Sequence, residues 1–218
     1  MALLKGDHDS LAERLRTAIM RGLPGREIQF QLASSMRLLK EFPANPGPDA
    51  VKAAVLIMLC KHKESIYTVL MQRPNYPGIH GGQISFPGGK MELWDKNLIE
   101  TAIREVYEET GFRLTDPDII GILTPLFIPV SNIVVTAVVC WLDNLPGFSP
   151  DPKEVDHLII ADLRRLLDNS IIKTKPMEIR GEVIDIRYFS YDGYVIWGAT
   201  AMILNELLQV IRSNNIPL

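Results

Sequence analysis

The stretch "FPGGKMELWDKNLIETAIREVYEETGF", Phe86 to Phe112, decides the fold. Its second half predicts a helix over about 96–109. At about 100° per residue, Leu98, Ile99, Ala102, Ile103 and Val106 cover one continuous apolar face. Asp95 is placed to cap the start, and Gly111 sits where a C-terminal glycine is expected. Glu105, Glu108 and Glu109 are related by i, i+3 and i+4, so their carboxylates cluster, with Glu109 at the edge of the apolar face.

Such a cluster is costly without a counter-charge. Two like charges about 4 Å apart repel by roughly 4 kcal/mol at an effective dielectric near 20, and glutamates at a helix C-terminus oppose its dipole. A divalent cation resolves both problems. Three hard oxygen ligands suit Mg²⁺ or Mn²⁺, which keep waters and bind substrate phosphates. The Gly88–Gly89 turn just upstream can bring a backbone carbonyl to the same ion. Taken alone, "REVYEE" also fits a solvated helix face on which Arg104 pairs with Glu108.

Upstream, "AAVLIMLC" reads as a buried strand by its length and apolar run. The polar turn "KHKES" and the alternating "IYTVLMQR" complete a hairpin. A Gly-rich loop covers 78–89. Downstream, strands are expected near 119–128, 132–142, 157–160 and 183–190, a short helix at 162–168 and a longer one at about 198–212. Hairpins among interleaved strands and helices give a mixed α/β sandwich rather than a doubly wound fold. Before the core, Ser10 and Glu13 have the capping-box spacing, and a stripe of Leu11, Leu15, Ala18 and Ile19 ends at Gly22 and Pro24. A second helix is expected over about 26–40. "EFPANPGPDA" is too rich in proline for regular structure. The expected division is a helical N-terminal arm, 1–45, and a catalytic domain, 46–218.

The 218 residues suffice for one sizeable core, and a net charge of −3 gives no general attraction to nucleic acid or anionic membranes. Cys60 and Cys140 lie in apolar runs and read as reduced core thiols. The opening "MALLKGDHDS" lacks the apolar run of a signal peptide, and the longest apolar runs are far shorter than the roughly 20 residues of a membrane span. A cytoplasmic protein that binds neither nucleic acid nor membrane is expected.

The pattern Arg104, Glu105, Val106, Glu108, Glu109, Gly111, Phe112 matches the second half of the Nudix box, and the chain resembles the Nudix hydrolase family. The first half departs. Gly89 is one residue further from Arg104 than in the general box, and Lys96 stands eight before Arg104, with Asp95 beside it to take the place of the box's first glutamate. That insertion is similar to the coenzyme A pyrophosphatase-like subgroup. Leu70, Arg73, Gly82 and Phe86-Pro87-Gly88-Gly89 keep the spacing of its second signature, whereas Met71, Pro74 and Gly78 replace its Thr, Ser and second Arg. The resemblance covers roughly 50–210 and implies a Nudix-type α/β/α sandwich with a mixed sheet.

It further implies Glu105 and Glu109 as primary ligands of Mg²⁺ or Mn²⁺, with Glu108 sharing a second ion or orienting a water, and Arg104 bracing the glutamates. Glu154, in "DPKEVD", is a candidate further ligand or general base, and equally a solvated turn carboxylate. Arg73, His80, Gln83, Gly88 and Gly89 are candidates for the substrate side. Trp141 and Trp197 read as core, while Tyr76 and Trp94 are candidates to stack on a base. The implied substrate is a small-molecule nucleotide: coenzyme A or acyl-coenzyme A, giving 3′,5′-ADP and (acyl-)4′-phosphopantetheine. ADP-ribose or another nucleoside diphosphate derivative is the alternative. A non-catalytic nucleotide-binding regulator is the reading from a different class, disfavoured because all three glutamates are present. The arm's amphipathic helices either pack on the core or build a homodimer interface.

Overall fold

The computed structural model describes residues 8–39, 45–75, 81–115, 118–179 and 181–218. The chain runs through α1 (His8–Arg21), α2 (Gly25–Phe30), α3 (Ser35–Leu39), β1 (Val51–His62), β2 (Ser65–Gln72), β3 (Ile84–Ser85), β4 (Gly88–Lys90), α4 (Leu98–Thr110), β5 (Asp118–Ile122), β6 (Leu126–Ile128), β7 (Ile133–Leu142), β8 (His157–Asp162), α5 (Leu163–Leu166), β9 (Ile172–Ile179), β10 (Glu182–Tyr191), β11 (Tyr194–Trp197) and α6 (Gly198–Ser213).

A mixed sheet has the order β3-β2-β1-β7-β5, with β4 also on β1, β6 on β7 and β8 on β2. β1 pairs parallel with β7 and antiparallel with β2 and β4. The apolar run of β1 is continuous because both of its faces are covered. Ala54, Leu56, Met58 and Cys60 share a cluster with Ala102 and Val106 of α4. Ala53, Ile57 and Leu59 share the other cluster with Leu204, Leu207 and Ile211 of α6. The result is an α/β/α sandwich with a mixed sheet and helices at the N-terminus. A smaller sheet, β11-β10-β9, adjoins it.

The N-terminal helices are built into this core. Ala12, Leu15, Ala18 and Ile19 of α1, with Leu32 and Ala33, lie in the same cluster as α6. Glu206 of α6, fully buried, accepts hydrogen bonds from Gly25 N (3.0 Å) and Gln29 Nε2 (2.8 Å) of α2 and from Thr124 N (3.2 Å).

Several expectations need correction. The stretch 26–40 is not one helix: it breaks at 31–34, where Leu32 and Ala33 turn into the core. The described part of α1 already runs at His8, so Ser10 lies inside the helix and not at its cap. The strand expected over 119–128 is two, β5 and β6. β9 and β11 were not expected at all. Residues 41–44 of the proline-rich linker and 78–80 of the Gly-rich loop lie outside the described residues, and 45–50 form bends and turns. Cys60 and Cys140 are both buried, as expected of core cysteines. Among the described residues no helix is long and apolar enough to cross a membrane.

Candidate active site

α4 carries the centre of the site. Its start is capped by Asn97, whose Oδ1 accepts from Ile99 N (2.9 Å) and Glu100 N (3.0 Å). Asp95, expected in that role, instead faces Arg104. Its two oxygens accept from Arg104 Nε (3.0 Å) and Nη2 (2.9 Å), and Thr101 Oγ1 and Glu92 N donate to it as well. These bonds, that of Arg104 foremost, hold the Asp95 carboxyl down at about 2. The helix ends at Gly111, in the left-handed conformation (φ 68°), whose N–H reaches Tyr107 O at 2.9 Å.

Arg104 is the brace of the glutamates. Besides Asp95 it donates to Glu105 Oε1 (2.7 Å), Glu108 Oε2 (2.8 Å) and Lys90 O (2.9 Å). Its partners raise its own pKa well above the usual range. Glu108 leans toward Arg104, its side chain 49% exposed, and does not line the cleft. Glu105 and Glu109, one turn apart and about 40° around the helix from each other, do line it.

That cleft, of about 360 Å³, is bounded by Arg73, Pro74, Gly88, Gly89, Lys90, Glu105, Glu109, Lys153 and Glu154. Glu109 is only 2% exposed; Gly88 N donates to its Oε2 at 2.7 Å and Arg73 Nη2 lies 3.5 Å from its Oε1. Burial pushes its carboxyl up to about 8 against the opposing pull of Gly88 and Arg73, and Glu105 and Glu154 push the same way as burial. Burial raises Glu105 too. Space at both glycines is tight, against backbone at Gly88 and against the Glu105 carboxylate at Gly89. A Cβ on Gly88 would come within 2.3 Å of Ala54 O, and one on Gly89 within 2.4 Å of Glu105 Oε2.

Glu154 and Lys153 reach the cleft on the segment between β7 and β8. Ser149 N donates to Thr110 O (2.8 Å) and Asp151 N to Glu109 O (3.1 Å), so this segment satisfies carbonyls at the end of α4. A turn follows, with Glu154 N and Val155 N on Asp151 O, and Asp156 N then bonds Gln72 O as β8 joins β2. Lys90 and Lys153 were not singled out from the sequence, although each stands next to a residue that was. They add two cations to a wall that also holds Arg73.

The other expected residues fall elsewhere. Gln83 O accepts from Arg73 N (3.0 Å), and Gln83 lines an adjoining cavity rather than the cleft. His80, Tyr76 and Gly78 lie outside the described residues. Trp94 is 71% exposed in a turn and lines no part of the cleft. Trp141 is core, whereas Trp197 lines the adjoining cavity.

Among the described residues no group of three or more His, Cys, Asp or Glu side chains stands placed to hold a metal ion by itself. The donor set nevertheless fits a hydrated hard cation. Such an ion needs only a few carboxylate oxygens beside room for water and phosphate. Here a carboxyl raised by burial lines a cleft of about 360 Å³ with two further glutamates.

A profile of the NUDIX domain matches residues 50–201. The chain belongs to the Nudix family. Nudix hydrolase NudL of Photorhabdus laumondii is 32% identical over 163 residues, covering 73% of this chain and 84% of the relative. The Arabidopsis thaliana protein "Nudix hydrolase 15, mitochondrial" is 34% identical over 174 residues, covering 74% of this chain; the match spans 60% of that protein's length. Among solved structures, the Nudix hydrolase RenU from M. smegmatis superposes with a TM-score of 0.54 at 14% identity, over 78% of this chain and 89% of its own. It shares the fold.

Proposed function

We propose that the chain is a metal-dependent pyrophosphohydrolase that cuts the phosphoanhydride bond of a nucleoside diphosphate derivative, with coenzyme A or acyl-coenzyme A as its substrate. The observation that carries the reaction class is the cleft itself. Glu105, Glu109 and Glu154 line it together with Arg73, Lys90, Lys153 and the Gly88–Gly89 turn, in a chain of the Nudix family.

Glu105 and Glu109 would hold Mg²⁺ or Mn²⁺, with Glu154 as a further ligand or the base. A divalent cation held there neutralises the diphosphate and acidifies water. Arg73, Lys90 and Lys153 bind the diphosphate oxygens and stabilise the charge that gathers on them as the bond breaks. Glu154, from the opposite wall, takes the proton of the attacking water. Arg104 does not touch substrate; it fixes the rotamers of Glu105 and Glu108. The coenzyme A assignment is supported by the spacing of Leu70, Arg73, Gly82 and Phe86–Gly89, and by a largely apolar cavity continuous with the cleft.

The test is to incubate the protein with coenzyme A, acetyl-coenzyme A, ADP-ribose and a dinucleoside polyphosphate, with Mg²⁺ or Mn²⁺, and to resolve products by mass. Metal-dependent release of 3′,5′-ADP from coenzyme A, abolished in Glu109→Gln, is expected. Cleavage of ADP-ribose alone would overturn the substrate and keep the reaction, while no turnover of any compound would count against hydrolysis.

A further inference from the structure

A second cavity, of about 500 Å³, opens from the carboxylate cleft and shares Arg73, Gly88, Gly89 and Lys90 with it. Its walls are largely apolar, with Val55, Phe86, Ile133 and Trp197 among them. Ser34 and Arg37 line it as well. Arg37 comes from α3 and Ser34 from the turn before it, outside the span 50–201 that matches the Nudix domain.

Arg37 is an unusual group to find in such a wall. Its Nη2 donates to Phe127 O, and its guanidinium lies 4.9 Å from the centre of the Phe30 ring. Arg26 lies over the same ring, at 4.6 Å. Among the described residues the buried Arg37 Nε meets no hydrogen-bond partner, and neither does the buried hydroxyl of Ser85, which lines the same cavity. Burial and the charge of Arg26 both pull the Arg37 pKa down, to about 10. A guanidinium desolvated against apolar side chains and a second guanidinium is unfavourable until an anion meets it.

We infer that Arg37 binds a second anionic group of the substrate, a phosphate on the ribose of a nucleotide whose nucleoside occupies this cavity while its diphosphate lies in the carboxylate cleft. The inference rests on the proposed function and deepens it. It also accounts for one departure noted in the sequence. Position 78, where the subgroup signature has an arginine, is glycine here. The α3 helix supplies a cation from outside the domain.

The experiment is calorimetric titration of the full chain, with Mg²⁺, by 3′,5′-ADP and by 5′-AMP, which differ in the ribose phosphate. A charge-assisted contact of this kind gives roughly a tenfold to hundredfold preference for the bisphosphate. Arg37→Gln should erase the preference and leave 5′-AMP binding unchanged. Arg37→Lys should narrow it, because the ammonium lacks the planar fork. Equal affinity of the wild type for the two nucleotides, or a preference undiminished in Arg37→Gln, overturns the inference. If thermal melting shows that Arg37→Gln does not fold, Arg37→Lys decides: a preference equal to wild type overturns it. Binding is read here without turnover. An intact preference with no hydrolysis of any substrate would sink the proposed reaction alone, and hydrolysis of coenzyme A with no preference would sink the Arg37 assignment alone.

Discussion

Replacing Gly89 by alanine adds a single carbon between β4 and α4. That carbon would stand 2.4 Å from Glu105 Oε2, 2.5 Å from its Cδ and 2.6 Å from its Oε1. Ordinary contact begins at 3.4 Å, so the carboxylate must retreat by about 1 Å. It cannot swing freely, because Arg104 Nη1 holds Oε1 at 2.7 Å. A displacement of about 1 Å in a group that positions the reaction costs roughly a hundredfold in rate, or about 3 kcal/mol of transition-state stabilisation. The backbone at Gly89 is not in the left-handed region, so alanine is otherwise acceptable there. Such a change tends to raise stability slightly through the unfolded chain. The expected signature is therefore a split: kcat/KM for the wild-type substrate falls about a hundredfold, while the melting temperature stays within about 2 °C. Activity within twofold of wild type in a folded Gly89→Ala protein would refute the assignment of Glu105 to the reaction centre.

Metal-free Glu109 makes stability depend on pH. Its folded value, about 8, lies above its ordinary 4.5, so between these limits the native state keeps a proton that the unfolded chain has released. Stability should fall as pH rises through that window, by up to a few kcal/mol; thermal melts in EDTA should show the fall, and Glu109→Gln should flatten it. Arg104→Met strips partners from Asp95, Glu105, Glu108 and Lys90 O at once. Leaving Asp95 buried and unpaired should cost about 3–5 kcal/mol in urea denaturation, and kcat should drop more than KM rises. Glu206→Ala removes the acceptor of three donors, Gly25 N, Gln29 Nε2 and Thr124 N. At about 1 kcal/mol or more each, the melting temperature should fall by roughly 6–12 °C.

The parts of the fold that could be read from sequence are those with strong periodicity. β1 announces itself by a run apolar on both faces, α4 by a five-residue stripe, and α6 by Leu204, Leu207, Leu208 and Ile211. β9 gave no such signal: "IKTKPMEI" has few apolar residues in no regular order and contains Pro176, which argues against a strand except at a sheet edge, where β9 lies. Asp95 and Asn97 are equally good capping residues by type. The choice between them is made nine residues later, by Arg104 reaching back, which no local rule encodes. The same holds for the site. Glu105, Glu108 and Glu109 are legible from helical spacing, but which of them line the cleft is settled by how the helix packs beside β4 and the loop before β8. The arrival of Lys153 and Glu154 depends on where a loop is tied. Arg37 was not legible, because its position depends on α3 docking against β10, from where its side chain reaches Phe127 O of β6.

The tie between that loop and α4 has a consequence for how the site tolerates change. Glu154 is located by bonds from Ser149 and Asp151 to Thr110 and Glu109, the last residues of the helix that carries the other two carboxylates. The distance across the cleft is thus gauged from one local reference, over a few residues of backbone, and not through the thickness of the sheet. Substitutions that shift α4 against β1 should carry all three carboxylates together as one rigid jaw.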